Sequence, residues 1–339
     1  MNQVSTIGFD IAKHVFQVHG TNRQGHTVLR RKLRRNQVIA FFKTLPPCLV
    51  GMEACGSAHY WARQLRALGH EVRLMPAEYV KAYVKRQKND GTDAEGCCEA
   101  VGRPTMRFVP IKSEEQQSVL MLHRARELLV RQRTMLINAV RGHLAEYGII
   151  APQGRAGMDE LLELVEGEEG GSLPELARSL LVLLAGQLRQ LRVKISELER
   201  QIHAWHRANE QSRRLETAPG IGPITASAIV ATVPDPSYFK SGRHFAAWLG
   251  LVPRQNSSGG KERLGRITRA GDPYLRRLLV VGAHAVLRFS NKAKSAPTRW
   301  AAELLSKKHY TVAAVALANK MARVIWAMMM RGEEFRAAA

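Results

Sequence analysis

The sequence predicts an α/β domain at the N-terminus, a long helical arm in the middle and an all-α domain at the C-terminus. Three observations carry this prediction. Short runs rich in β-branched residues alternate with helical patterns as far as residue 110. Leucines then recur at threes and fours over two long stretches. The last third places a Pro-Gly-Ile-Gly turn between further helical patterns. We therefore divide the chain into residues 1–110, 111–214 and 215–339.

Composition indicates a reduced, cytoplasmic protein that binds a polyanion. Of the 339 residues, 51 are Lys or Arg and 29 are Asp or Glu, which gives a net charge of +22. Such an excess predicts nucleic acid as the first partner and an anionic membrane surface as the second. We expect no membrane span, because no run of about 18 uncharged apolar residues is present. The four cysteines show no zinc-binding spacing, so we expect free thiols.

The N-terminal domain begins with three short strands that predict an antiparallel meander. Strand and helix then alternate, and proline or glycine punctuates the connections. The predicted strands are 4–10, 14–20, 26–31, 48–53 and 71–75, and the predicted helices are 36–45, 57–69 and 77–87. The order β-β-β-α-β-α-β-α is that of ribonuclease H-like nuclease folds.

Four carboxylates occupy particular places in this order. Asp10 ends the first strand, Glu53 ends the fourth, and Asp90 and Asp93 lie three apart at a helix start, where positions i and i+3 share a face. Taken singly, each acid could instead cap a turn or a helix. Taken together, carboxylates at strand ends predict a divalent-metal site, because two such ions about 4 Å apart support displacement at phosphorus.

The arm is predicted as two amphipathic helices, 113–147 and 173–214. The loop between them, 148–172, is rich in glycine and surrounds a short helix at 158–165. Two long helices joined in this way predict an antiparallel coiled coil. Its role stays open between a spacer and a dimerisation element.

The C-terminal domain begins with a turn that is typical of helix-hairpin-helix DNA-binding units. Gly220 and Gly222 allow close approach of the backbone, and the helix that follows offers N–H groups to a phosphate. The alternative is a tight turn between two helices without a ligand.

A cationic, glycine-rich loop follows a predicted helix at 241–249 and precedes helices from residue 274, at 298–307 and at 311–331. Between residues 254 and 277, seven Lys or Arg face two acids, so we interpret the loop as a phosphate cradle. The predicted nucleic-acid-binding residues are Gly220, Gly222, Arg254, Lys261, Arg263, Arg266, Arg269, Arg276 and Arg277.

Five motifs together resemble the DEDD (RuvC-like) insertion-sequence transposases guided by a bridge or seeker RNA, a family related to Piv-type DNA invertases. Cys55 stands where the family usually has Thr, and Asn89 also replaces a Thr. The motifs are Gly8-Phe9-Asp10-Ile11-Ala12-Lys13, Gly51-Met52-Glu53-Ala54-Cys55-Gly56, Lys88-Asn89-Asp90-Gly91-Thr92-Asp93-Ala94, Pro219-Gly220-Ile221-Gly222-Pro223, and Gly250-Leu251-Val252-Pro253 with Ser257-Ser258-Gly259-Gly260.

The resemblance implies a RuvC-like catalytic domain, a coiled-coil arm and a C-terminal transposase domain. It implies that Asp10, Glu53, Asp90 and Asp93 bind Mg²⁺, as two ions. Ser258 would be the nucleophile, with Ser257 as the alternative. It further implies a guide RNA as cofactor, double-stranded donor and target DNA, and a homo-oligomer: a dimer, and a tetramer when DNA is paired. The expected location is the bacterial cytoplasm, at the nucleoid.

Two other functions remain open from the sequence. The chain could be a RuvC-like, metal-dependent junction nuclease that forms no covalent intermediate. It could also be a nucleic-acid-binding protein without catalytic activity.

Overall fold

The computed structural model describes residues 3–84, 90–167, 172–289 and 296–336. The chain forms two compact units. The first comprises Met1–Glu114 and Val233–Tyr238, and the second comprises Glu115–Thr232 and Phe239–Ala339. The predicted arm and the predicted C-terminal domain share the second unit, and the boundary between them stays a prediction.

The first unit is built on a mixed five-stranded sheet, which confirms the predicted α/β class. The sheet order is β3-β2-β1-β4-β5. The first three strands form the predicted antiparallel meander, whereas β4 is parallel to β1 and β5 is parallel to β4. The strands are β1 (Thr6–Asp10), β2 (Val15–Thr21), β3 (Thr27–Arg34), β4 (Leu49–Glu53) and β5 (Glu71–Met75).

Helices cover both faces of this sheet. An aromatic cluster joins one face to α1 (Val38–Lys43) and α2 (Ala58–Ala67). At its centre the Phe9 ring lies 5.5 Å from that of Phe16 and 5.2 Å from that of Phe42, between centroids. The other face is covered by α4 (Asp90–Val101), which follows the single turn α3 (Ala77–Val80).

Two predicted elements of this unit differ from the observed ones by more than two residues at one end. The third strand was predicted to end at residue 31 but continues to Arg34 through a run of cations. Edge strands accept charged side chains because one side of their ladder faces solvent. The helix predicted at 77–87 is instead α3 followed by one 3-10 turn, Lys81–Tyr83, and residues 85–89 lie outside the described part.

The second unit is mainly helical. Two long helices run antiparallel, as predicted for the arm, and polar contacts join them at several levels. The Arg126 guanidinium lies 2.6 Å from Glu199, and the indole N–H of Trp205 donates to Glu115 at 2.7 Å. The helices are α5 (Glu114–Ala145), α6 (Arg155–Glu166), α7 (Glu175–Ala208), α8 (Glu210–Glu216), α9 (Pro223–Thr232), α10 (Gly242–Trp248), α11 (Pro273–Arg288), α12 (Ala296–Leu305) and α13 (Tyr310–Arg331).

The prediction of one helix over 173–214 is wrong. The chain leaves helical geometry at Asn209, where φ is −97° and ψ is 112°. The Asn209 side chain accepts a hydrogen bond from the Ser212 N–H at 2.8 Å, which caps the start of α8. A short capped helix therefore follows α7 and leads into the Pro-Gly-Ile-Gly turn.

The last helix, α13, is long and apolar enough to cross a membrane by length and composition. Half of its most apolar window is nevertheless buried inside the protein, where it packs mainly on α10 and α11. Lys320 and Arg323 also lie within it. These features are typical of a helix in the core of a folded domain.

Candidate active site

Asp10 and Glu53 end neighbouring parallel strands. The register pairs Thr6 with Leu49 and Gly8 with Gly51, and its continuation places the two acids level with each other. Adjacent strands lie about 4.8 Å apart, so carboxylates at this level are within reach of a shared ion. Both acids are half-buried. They stand at the carboxyl edge of the parallel strands, where α/β sheets open their ligand crevices.

Two glycines, each two residues before an acid, bring α4 onto the same sheet face. A Cβ on Gly8 would overlap the carbonyl oxygen of Ala94 and lie 2.9 Å from the Cβ of Cys98. A Cβ on Gly51 would lie 2.8 Å from the carbonyl oxygen of Cys97. Side chains alternate between faces along a strand, so each glycine shares its face with the acid that follows.

The direction of α4 places its N-terminus at the acidic edge. Ala94 lies over Gly8, whereas the Cys98 thiol donates to the Thr6 carbonyl at 3.7 Å. As α4 advances from Ala94 to Cys98, it therefore moves away from Asp10. Asp93, which precedes Ala94, consequently lies at the Asp10 end of the sheet.

The thiol of Cys97 lies within electrostatic range of three of the predicted acids. Burial raises its pKa well above the usual value, and the negative charges of Glu53, Asp10 and Asp93 raise it further. The Cys55 thiol, close to the same edge, has its pKa raised by burial and then by Glu53 and Asp10. The four cysteines are free thiols, as predicted.

Asp90 is the first residue of α4, three positions before Asp93. Its side chain, and the Lys88-Asn89 part of its motif, lie outside the described residues. Among the His, Cys, Asp and Glu side chains that are described, no three meet closely enough to form a metal site by themselves. The donors present are carboxylate oxygens, the ligand type that Mg²⁺ prefers, so the residue set fits this ion.

The serine motif lies in the second unit at the tip of a β-hairpin, not in the loop that we predicted. Strands β6 (Pro253–Gln255) and β7 (Leu264–Ile267) pair antiparallel. The Lys261 N–H donates to the Ser258 carbonyl at 3.1 Å across the turn. Gly259 and Gly260 have φ of 56° and 76°, and positive values at both central positions define the tight turn that suits a twisted hairpin.

The two serines of this hairpin differ in their contacts. The Ser257 hydroxyl accepts a hydrogen bond from the Arg263 N–H at 3.2 Å, which ties the two arms of the hairpin together. The Ser258 side chain is exposed, and within the described part of the chain its hydroxyl makes no hydrogen bond. Ser258 is therefore free to contact a ligand, whereas Ser257 has a structural partner.

The predicted cations divide into two groups. Exposed side chains on or beside the hairpin belong to Arg254, Lys261, Arg263, Arg266 and Arg269. Arg276 instead donates to the carbonyls of Leu249 at 2.9 Å and Ala270 at 2.7 Å, and burial lowers its pKa. Arg277 contacts Glu127 at 3.0 Å and lies over the Tyr274 ring.

The Pro-Gly-Ile-Gly turn joins α8 to α9, as predicted. Gly220 has φ of +80°, and a Cβ there would lie 2.8 Å from the Gly282 carbonyl of α11 and from Met321 of α13. Packing inside the unit therefore requires glycine at position 220. Gly222 is exposed and has open space around it, so of the two glycines only this one offers its backbone to a ligand.

A buried histidine, absent from the sequence predictions, joins three helices of the second unit. His123 of α5 lies 3.0 Å from the Tyr274 hydroxyl of α11 and 3.1 Å from that of Ser227 in α9. Burial, assisted by Arg126, lowers its pKa to about 4, so it is neutral at pH 7. A histidine within an amphipathic pattern carries no sequence signal that separates this role from ordinary packing.

Comparison with known proteins identifies the family. A family model described as "Transposase IS116/IS110/IS902 family" matches residues 212–297, and one described as "Transposase" matches residues 7–149. A probable family 20 transposase of Pseudomonas aeruginosa is 54% identical over 98% of this chain and 99% of its own length. A transposase for insertion sequence element IS1328 of Yersinia enterocolitica is 40% identical over 99% of each chain. The transposase for IS1111A of Coxiella burnetii is 38% identical over 100% of this chain and 93% of its own. The chain therefore belongs to the IS116/IS110/IS902 family of insertion-sequence transposases.

Proposed function

We propose that this transposase cuts and rejoins DNA through a phosphoserine intermediate formed by Ser258, with catalysis assisted by Mg²⁺ at the acidic edge. The observation that carries the proposal is the placement of Asp10 and Glu53 at level ends of two paired parallel strands, with the N-terminus of α4 at the same edge. Carboxylate oxygens are the ligands that Mg²⁺ prefers, so acids at this edge suit the ion. The strand order β3-β2-β1-β4-β5, with acids at the ends of β1 and β4, supports assignment of the first unit to the ribonuclease H-like folds.

In this reaction the Ser258 oxygen attacks a DNA phosphorus. A bond from Oγ to phosphorus forms as the hydroxyl loses its proton. The bond from phosphorus to one DNA strand breaks, and the oxygen of the released strand end takes up a proton in exchange. The serine ester keeps the energy of the broken bond, so attack by a DNA hydroxyl can rejoin strands without ATP. Mg²⁺, held by Asp10, Glu53, Asp90 and Asp93, would stabilise negative charge on the phosphate oxygens.

The hairpin around Ser258 suits the nucleophile's task. The two-glycine turn presents the hydroxyl outside the body of the unit, and exposed cations flank it. Guanidinium and ammonium groups stabilise the negative charge that develops on phosphorus oxygens in the transition state. The neighbouring hydroxyl of Ser257 is held by Arg263, so it competes poorly for the same phosphate.

Partners follow from the family resemblance and from charge. The net charge of +22 supports binding of donor and target DNA and of a structured guide RNA, at the nucleoid in the cytoplasm. Pairing of two DNA sites requires more than one subunit, which supports a dimer and, with DNA paired, a tetramer. RNA that co-purifies with the protein, recovered by sequencing, identifies the guide; absence of a defined RNA would contradict this part of the proposal.

The decisive experiment traps the covalent intermediate. Purified protein with its co-purifying RNA is incubated with labelled element-end DNA and Mg²⁺, then denatured and resolved by gel. We expect a protein–DNA adduct with the wild-type chain and with Ser257→Ala, but none with Ser258→Ala. Asp10→Asn should remove both cleavage and adduct.

Two outcomes favour the other functions. Cleavage without any adduct indicates a nuclease that activates water, and it contradicts the serine step. DNA binding with no Mg²⁺-dependent cleavage in the wild-type chain indicates a binding protein, and it contradicts the whole proposal.

A further inference from the structure

Three cations of β3 lie on the same sheet face as the acidic edge. Pairing across the sheet joins Lys32 to Gln17 and Gln17 to Asp10. Lys32 and Asp10 are thus level with each other across the sheet, two strands apart, which is about 10 Å. Arg30 and Arg34 flank Lys32 at intervals of two residues, so all three point to the face that carries Asp10.

The alternate residues of β3 serve the opposite face. Leu33 is buried in the aromatic core, and the Arg31 guanidinium lies over the Phe41 ring at 5.3 Å from its centroid. Structural packing therefore explains the side chains of one face of β3. It does not explain Arg30, Lys32 and Arg34, which are exposed.

These three cations have little negative charge to balance them. Arg30 approaches Glu95 of α4 only to 3.9 Å. In the part of the chain that the structure describes, Lys32 and Arg34 make no ion pair. Arg30, Lys32 and Arg34 form the β3 cation row. Like charges at i and i+2 of a strand are about 7 Å apart and repel each other, so an anion bound along the row would reduce this repulsion.

The spacing of the row suits a nucleic-acid backbone. From Arg30 to Arg34 the strand rises about 14 Å. One strand of a DNA duplex rises about 3.4 Å per phosphate, so the row spans roughly four nucleotides. Its middle residue, Lys32, is level with Asp10 at the acidic edge, where the proposed chemistry acts on DNA phosphates.

We propose that Arg30, Lys32 and Arg34 bind phosphates of the DNA strand next to the scissile bond and guide it to the acidic edge. This inference rests on the proposed function, because the carboxylates must act on DNA for the row to lead a DNA strand to them. The contacts are to phosphate, so they add affinity without selecting a base sequence.

The test measures DNA binding in the full chain carrying Asp10→Asn, in which cleavage is absent. The test variant is R30Q/K32Q/R34Q. The matched control is K43Q/R66Q/R107Q, which removes the same charge from exposed positions elsewhere in the first unit. Lys43 and Arg66 belong to the helices of the opposite face, and Arg107 precedes Val109, which pairs with β5 at the far edge.

We expect fluorescence anisotropy with element-end duplex DNA to show at least a ten-fold loss of affinity for the test variant. Its salt dependence should decrease by two to three units of slope, since each phosphate contact contributes about 0.9. The control should keep the parental slope and stay within about three-fold in affinity. Equal effects in both variants would mean that the β3 cations contribute only through the net charge, and would overturn the inference.

A parallel titration with the co-purifying RNA distinguishes the two nucleic acids. If the test variant loses RNA affinity and keeps DNA affinity, the row holds RNA and the inference is wrong. Failure of the proposed function has a separate signature, since it is measured as cleavage and adduct formation in a chain that retains Asp10 and the β3 cations.

Discussion

Gly8 of β1 lies directly against the backbone carbonyl of Ala94 in α4, closer than any residue with a side chain could. This contact fixes the height of α4 above the sheet, and the helix carries Asp93 next to Ala94. The lack of a side chain at Gly8 therefore allows the close approach of α4 and helps to position the Asp93 carboxylate, which is distant in sequence. Gly51 performs the same role in β4.

Gly8→Ala should displace α4. The added methyl meets backbone atoms, which cannot move aside as a flexible side chain can, so we expect a loss of about 1–3 kcal/mol in unfolding free energy. Urea unfolding measures it. Gly102→Ala is the matched control, because a Cβ there meets open space. Equal stability of the two variants would show that α4 is not held at this contact.

Gly260→Val should impair the serine hairpin. A β-branched residue at φ of +76° costs about 1–2 kcal/mol. If this cost acts on the turn alone, the fraction of molecules with a formed turn decreases by roughly ten-fold. We expect adduct formation to fall by about this factor while DNA affinity stays within two-fold. Gly260→Asn, which tolerates positive φ, should restore most of the adduct. A Val variant as active as the Asn variant would argue against a preformed turn.

Arg276→Gln should reduce the stability of the protein, whereas Arg266→Gln should weaken DNA binding. Arg276 holds two carbonyls, so its loss should lower unfolding free energy by about 1–3 kcal/mol and leave the salt dependence of DNA binding unchanged. Arg266 is exposed, so its loss should reduce the salt slope by about 0.9 and change stability by less than about 0.5 kcal/mol. Thermal unfolding measures the first effect and fluorescence anisotropy titrations at several salt concentrations measure the second. A reduced salt slope for Arg276→Gln would mean that Arg276 binds DNA.

His123 should make the second unit sensitive to mild acid. Its pKa is about 4 when folded and 6.5 when exposed, so the unfolded chain binds the proton first as pH falls. Stability from this residue is complete above pH 6.5 and is lost as pH decreases toward 4. At pH 5 the loss is about 2 kcal/mol, and below pH 4 it reaches about 3 kcal/mol.

His123→Gln is the control for this acid sensitivity. Glutamine keeps hydrogen-bonding capacity toward Tyr274 and Ser227 without a titrating group. The difference in unfolding free energy between pH 7 and pH 5 should therefore shrink by about 2 kcal/mol in the variant. The same pH dependence in both chains would exclude His123 as its source.

The sequence predicted the strands, most helices and the position of Asp10 and Glu53 at strand ends, because these have local signals. Asp10 and Glu53 each follow an apolar run, and strand order then places them at one edge. Cross-strand register has no local signal, which is why Lys32 could not be related to Asp10 before the pairing of β1, β2 and β3 was known. A sequence pattern was available for the cations of β3, since three of them recur with period two.

The hairpin shows a different limit. Ser257-Ser258-Gly259-Gly260 has the composition of a flexible linker, and we predicted a loop. Two glycines between short extended segments also specify a tight hairpin, and the pairing of β6 with β7 decides between these outcomes. The break at Asn209 was missed for the opposite reason, because the apolar period continues across it and only the asparagine cap marks it.

The antiparallel course of α4 over β1 has a consequence for incomplete copies of the gene. A product that terminates before residue 90 retains every strand of the sheet and two of its acids, yet lacks the helix that supplies the remaining carboxylates. Such a remnant leaves one face of the sheet without its covering helix and cannot complete the acidic edge.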